Sequence, residues 1–502
     1  MEYMYNYTFR LILLILAILT LTSCGGRAGK DAPALKLQIE PTPGVYIQYD
    51  SQSSIFRIGN ELVERRISVN RETHLVSTVA FINKLSGRNY IRSLSEEFSF
   101  RANGMGLSGV TGNLEYMDHE TFGAGGVKGL VIRFQIKQDE IGILRLRLVY
   151  EIYPHTPVIR KWMEMENPAG SSITIDSVKV ESLNLMPGSE YDLEIYNNQR
   201  SSIHSPIVFD TRLTEGFFVG NEAPGILKHS DLYSNRSSMF VGMKQYFHNH
   251  AVGISLSPDE EFISPAVFIF MFKGDPAQSE EVLSEFVAEY LARSRIGEHF
   301  IWYENVAVDL AEPEAHEKMQ LAAKSGAEIF CVNGRWLDGN YHLESLSQYA
   351  LSLGMKFGLS IKLAVSDPDS QVITEYPQWA VKLEDGSDYT IDNGKMMCLG
   401  SEYAVYAAQE IDRLVRDLDL GYIRLTGPII PDEESGECFA QDHVHRSSAE
   451  SLWYIYEGFF ALCEYLHSQH PDLIIDVLPG SYNPEWTTDY ALLKHVDVKW
   501  PF

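Results

Sequence analysis

Hydrophobic periodicity changes once along this chain, near Ile301, and that change constrains the fold more than any other feature. From about Pro41 to Glu298, short apolar runs alternate with Gly, Asn, Asp and Ser, the pattern of half-buried antiparallel strands. Arg145 to Tyr153 keeps a clear period of two, and Val158 to Pro168 again sends alternate residues to opposite faces before a turn. A large β-sandwich is the economical reading. Ser279 to Arg293 supplies one helical stretch, with Val282, Leu283, Phe286, Val287 and Leu291 at helical spacing, between this region and the next.

Past Ile301, β-branched runs alternate with amphipathic helices, which signals parallel βα units. Strands are expected near Ile301–Asp309, Glu328–Val332, Lys356–Ile361, Tyr422–Thr426, Leu473–Leu478 and Asp497–Trp500, enough to suggest a barrel. Pro313 opens one helix and Gly326 closes it. Ser447 and Glu450 offer a capping box before a helix whose Leu452, Ile455, Tyr456, Phe459, Cys463 and Leu466 form one apolar core stripe. No internal repeat or low-complexity block interrupts this order.

The N-terminus reads as an export signal. Arg10 precedes an apolar run, Leu11 to Leu19, and small residues then flank Cys24 in Leu21-Thr22-Ser23-Cys24-Gly25. That string resembles the lipobox of bacterial lipoproteins, which implies lipid on Cys24 and a place in the cell envelope, periplasmic or on the outer-membrane surface. An uncleaved membrane anchor is the alternative, disfavoured because the run falls short of about 20 apolar residues. The expected organisation is residues 1–23 signal peptide, 24–40 lipid-anchored tether, 41–298 sandwich and 299–502 partial barrel.

Chemistry narrows from charge and cysteine usage. A formal charge of −27 disfavours nucleic-acid phosphates and anionic lipid as partners, while neutral sugars remain compatible. Besides Cys24, the cysteines Cys331, Cys398, Cys438 and Cys463 are widely spaced and form no Cys-x-x-Cys pair. Cys438, Asp442, His443 and His445 lie close in sequence, but their spacing fits no standard zinc pattern; a polar loop over the barrel mouth is the expectation, with no metal and no cofactor. Asp432, Glu433, Glu434 and Glu437 stand in the loop after the fourth strand, where such a run of acids more often forms a solvated face than a site. The sequence sets no oligomeric state.

Several strings, in order, resemble the melibiases, the α-galactosidase-like family 36 glycoside hydrolases. They are the Tyr153 to Arg160 run, Leu353-Gly354-Met355-Lys356-Phe357-Gly358-Leu359, Pro368-Asp369-Ser370 with Tyr376-Pro377-Gln378-Trp379, and Gly421-Tyr422-Ile423-Arg424. The resemblance spans about residue 40 to 502. It implies a multidomain β plus α/β fold, an N-terminal antiparallel β-sandwich followed by a TIM-like (β/α) barrel, here incomplete with an open sheet edge.

Retaining hydrolysis is the chemistry this resemblance implies, with two carboxylates roughly 5 Å apart at the C-terminal ends of barrel strands. The family's nucleophile ends the fourth strand, in a Lys-Trp-Asp string aligning with Arg424-Leu425-Thr426, so Thr426 stands at the nucleophile position. Threonine brings no negative charge to an oxocarbenium-like transition state and needs a base to attack. The second strand's Asp-Asp-Gly-Trp becomes Asn333-Gly334-Arg335-Trp336, and Lys362 takes the place of an acid on the third. Pro479-Gly480-Ser481 replaces the fifth strand's glycine-rich run, and the acid/base would follow Phe502. Sugar contacts are expected from Asn333, Trp336, Asp338, Lys362 and Arg424. The resemblance therefore implies an α-galactosidase-like lipoprotein acting on galactose-containing glycans with impaired catalysis; a noncatalytic glycan-binding surface lipoprotein is the alternative.

Overall fold

The computed structural model describes residues 44–497 except 92, 169, 186–192, 198–205, 234–237, 245–251, 294–298, 308–311, 337–342, 433–435 and 483–489. Cys24, the leader and the tether lie outside the described residues, as does most of the expected strand at Asp497–Trp500.

The first half is antiparallel sheet throughout. A nine-stranded sheet has Gly142–Ile152 paired with Val127–Gln138 on one side and Val158–Glu166 on the other. Its period of two sorts burial as the sequence predicts: Leu144, Leu146, Leu148, Tyr150 and Ile152 face the core. A six-stranded sheet has Ile173–Asn184 at its centre, and a five-stranded meander begins at Tyr46. Lys161 breaks the apolar pattern by occupying a core-facing position. Its ammonium joins Arg65, Glu97 and Glu181, all four almost fully buried, so that two cations balance two carboxylates where the three sheets meet.

A helix at Pro276–Phe286, continued by a π-helical turn to Leu291, follows the sandwich strands. Five parallel strands come next, in spatial order β1 (Ile301–Ala307), β2 (Ile329–Trp336), β3 (Lys356–Lys362), β4 (Leu420–Thr426) and β5 (Ile474–Val477). Helices α1 (Glu312–Lys324), α2 (Glu344–Ser352), α3 (Tyr403–Leu418) and α4 (Ser448–Gln469) connect them. This is a β plus α/β layout, with five of the six expected barrel strands among the described residues. Gly326 ends the α1 turn with φ +84°, as its place after a helix predicts.

The expected capping box differs in detail. Ser447 is the N-cap of α4, yet its hydroxyl caps no backbone amide. Glu450 instead accepts from the backbone N–H of Arg446 and, at 3.0 Å, from that of Ser255 in the sandwich. A carboxylate needed for a tertiary contact is diverted from its local partner. Phe268 against Tyr490 and Phe262 against Trp453 extend one apolar core from the sheets into the α/β half.

Candidate functional site

Parallel register brings the expected residues together at the C-terminal ends of the strands. Trp336, Lys362 and Thr426 are neighbours across β2, β3 and β4. One layer deeper come Asn333, Ser360, Arg424 and Asp476, and below them Cys331, Gly358, Tyr422 and Ile474. A bulge between Asn333 and Trp336 re-aims the end of β2. In (β/α) barrels the corresponding layer and the loops above it form the active-site face.

Thr426 donates its hydroxyl to the backbone carbonyl of Ile361 at 2.9 Å. That bond engages the side chain with a neighbouring strand rather than with a base. Gly427 follows with φ +74°, and a Cβ there would lie 3.3 Å from Lys362 Cγ, so the chain leaves β4 pressed against the lysine stem. Lys362 Nζ meets Asp392 Oδ2 at 2.8 Å. Asp392 and Asn393, both at positive φ, form the two-residue turn of a hairpin between Thr390–Ile391 and Gly394–Met396. A hairpin inserted after β3 thus supplies a carboxylate to the strand end, but pairs it with the lysine.

Arg424 lies with its guanidinium carbon 4.5 Å from the Tyr303 ring centroid and Nε 3.5 Å from Asp476. Tyr422 donates to Asp476 at 2.6 Å, and the Tyr303 and Tyr422 hydroxyls share a 2.7 Å hydrogen bond. Burial pushes the Asp476 carboxyl above the usual carboxylate range, and burial beside Asp476 pushes the Tyr422 phenol far up. Tyr303, Tyr422 and Asp476 together position Arg424. Sequence reasoning missed Tyr303, Tyr422 and Asp476, although the alternate residues of β4 and β5 would have pointed to the last two.

Asn333 is exposed on the inward layer. Asp338 and the side chain of Trp336 lie outside the described residues, as do Glu433 and Glu434. Asp432 is exposed; Glu437 is buried, and its Oε1 has no hydrogen-bond partner among the described residues. The Cys438 loop gathers differently from its expected set: Cys398 joins Cys438, His443 and His445, whereas Asp442 is exposed and stands apart.

A cavity of about 850 Å³ opens elsewhere, between the loop after β3 and the outer side of α3. Asp369, Glu375, Tyr406 and a stacked Tyr376–Trp379 pair line it, and Asn333, Lys362, Arg424 and Thr426 are not among its described lining residues. The strand-end layer, not this groove, carries the arrangement expected of a barrel site.

No protein-family model matches the chain, and no curated protein matches it in sequence. Solved structures do. An α-galactosidase from Lactobacillus brevis superposes with a TM-score of 0.71 at 14% identity, covering 90% of this chain and 73% of that one. The GH36 α-galactosidase AgaB from Geobacillus stearothermophilus gives 0.70 at 14% identity, covering 91% and 75%. Variants of AgaA, a GH36 α-galactosidase from the same organism, were solved with stachyose and with raffinose; each gives 0.68, at 13% and 14% identity, covering 89% and 74%. The chain has the fold of the GH36 α-galactosidases.

Proposed function

We propose that this chain is a galactosidase-like envelope lipoprotein that binds galactosides at the C-terminal ends of β2 to β4 and does not hydrolyse them by double displacement. The fold supports the ligand class, since structures sharing it hold stachyose and raffinose. The observation that carries the catalytic half is Thr426, whose hydroxyl is given to Ile361 O beside the Lys362–Asp392 pair. A strand end with a neutral hydroxyl, and with its carboxylate Asp392 held by a lysine, offers hydrogen bonds to sugar hydroxyls but, among the described residues there, no free anionic nucleophile. Asn333 and Arg424 contribute polar contacts to the bound sugar, and Trp336 an apolar face. The Leu21 to Gly25 string supports lipid attachment at Cys24.

Raffinose should raise the midpoint of thermal unfolding, whereas maltose, with no galactose, should not. Equal shifts from both sugars, or none from raffinose, would remove the galactoside assignment. One observation favours a second reading. The buried Glu437 carboxylate, one oxygen of which has no partner among the described residues, stands in the loop after β4 and could serve as a replacement acid, and hydrolysis would then proceed with no part played by Thr426.

A further inference from the structure

The structure assigns a closed, tetrahedral zinc site to Cys398, Cys438, His443 and His445, which ties the loop after β3 to the loop after β4. One ligand atom from each of the four residues lies within 4.8 Å of all the others. Cys398 Sγ is 3.7 Å from His445 Nε2, Cys438 Sγ is 3.5 Å from His443 Nδ1, and the two imidazole nitrogens are 3.1 Å apart. Zinc–sulfur bonds of about 2.3 Å and zinc–nitrogen bonds of about 2.0–2.1 Å make tetrahedral edges of about 3.6 Å for S···N and about 3.4 Å for N···N. These three edges fall within a few tenths of an ångström of those figures, and the remaining ones lie within 4.8 Å, close enough for small side-chain shifts to close them on an ion.

Surrounding contacts orient the donors. His443 Nε2 lies 2.7 Å from the carbonyl of Gln378, which can only accept, so this nitrogen carries the proton and Nδ1 presents its lone pair to the cluster. The His445 ring is fully buried against Gly400, where a Cβ would lie 3.2 Å from Cδ2. Backbone bonds fix the loops: Cys398 N–H to Trp379 O at 2.8 Å, Val444 N–H to Gly400 O at 3.0 Å, and Cys438 N–H to Ser451 Oγ at 3.0 Å.

Charge and softness select the ion. Two thiolates and two neutral imidazoles around a divalent cation have no net charge, which suits a buried site. An S₂N₂ donor set favours zinc over calcium or magnesium, and four protein ligands leave no position for water or substrate. The role is structural. The loops it joins lead into the N-termini of α3 and α4, at the face that carries Lys362 and Thr426.

The full chain, purified without chelator, should contain about one zinc per molecule by elemental analysis, a closed site holding a single ion. Exchange for cobalt should give the intense visible bands and the thiolate charge transfer of a tetrahedral centre. The Cys398→Ser, Cys438→Ser double variant should lose both. His443 is only half-buried, so His443→Ala should stay folded with weakened retention; a chelator should lower the unfolding midpoint of the wild type but hardly that of this variant. Folded, reduced wild-type protein that retains neither zinc nor cobalt after dialysis would overturn the assignment. So would a disulfide-linked Cys398–Cys438 peptide pair in the native chain, because it would leave too few ligands.

Discussion

Thr426 and Ile361 are joined across β4 and β3 by a 2.9 Å hydrogen bond from hydroxyl to backbone carbonyl. At the position where the melibiase resemblance places an attacking carboxylate, the side chain performs a structural task. Thr426→Val should therefore cost only about 1 kcal/mol of stability, the net worth of one such bond. Chemical denaturation measures it; a loss several times larger would mean that the hydroxyl has further partners.

Restoring the acid tests the neighbourhood. Thr426→Asp places a carboxylate in register with Lys362, whose charge is already engaged with Asp392. Weak turnover of an aryl α-galactoside, or none, is expected, because the Lys362 cation in register beside it would pair with the new carboxylate and blunt its attack. Rates near those of a competent glycosidase would show that the rest of the machinery is present.

Acid should loosen the contact between the sandwich and the α/β half through Glu222. This fully buried carboxylate accepts from Arg160 at 2.8 Å and from Lys494 at 2.9 Å. Burial alone would raise its pKa, but the two cations outweigh that and hold the group at about 2, below the ordinary 4.5. A depressed folded value stabilises above pH 4.5, and that stability drains away as pH falls toward 2. Unfolding midpoints measured across this window should fall steeply for wild type and less steeply for Glu222→Gln. The variant should also start about 3 kcal/mol lower, since Arg160 and Lys494 lose the buried carboxylate they share, Arg160 keeping only Glu151. Parallel slopes would exclude Glu222 as a source of the acid sensitivity.

How much of this was legible in the sequence follows from the range of each interaction. Period two in Gly142–Ile152 and the βα alternation after Ile301 are local, and the strands appear within a few residues of their expected bounds. The set Trp336, Lys362 and Thr426 was named by the resemblance to the melibiases, and the parallel register sets the three side by side at the strand ends. Lys161 was not, since the carboxylates that permit its burial, Glu97 and Glu181, come from strands of another sheet. Cys398 escaped for the same reason: 40 residues separate it from Cys438, and only folding of the two loops sets them side by side. Glu450 misled because its long-range partner Ser255 competes with the local cap.

Lys161→Met tests the buried charge cluster directly. Removing one cation leaves Glu97 and Glu181 sharing Arg65 alone, at a cost of about 3 to 5 kcal/mol. Denaturant unfolding should show this loss. A neutral effect would mean that one carboxylate is protonated or that water enters the cluster.

Lipidation of Cys24 is checked in growing cells with a labelled fatty acid. Label should enter the wild-type chain and be absent from Cys24→Ala; equal labelling of both would place the lipid elsewhere.

Binding without hydrolysis is best tested in one tube, by saturation-transfer NMR on the full chain with an aryl α-galactoside. An activated aryl leaving group departs with little acid assistance, so the assay isolates the nucleophile position. The account predicts saturation transfer to the galactose ring protons, with no free galactose appearing above the protein-free control. Steady release of galactose, abolished by Glu437→Gln or Asp338→Asn, would contradict it and show that a carboxylate from another loop performs the chemistry.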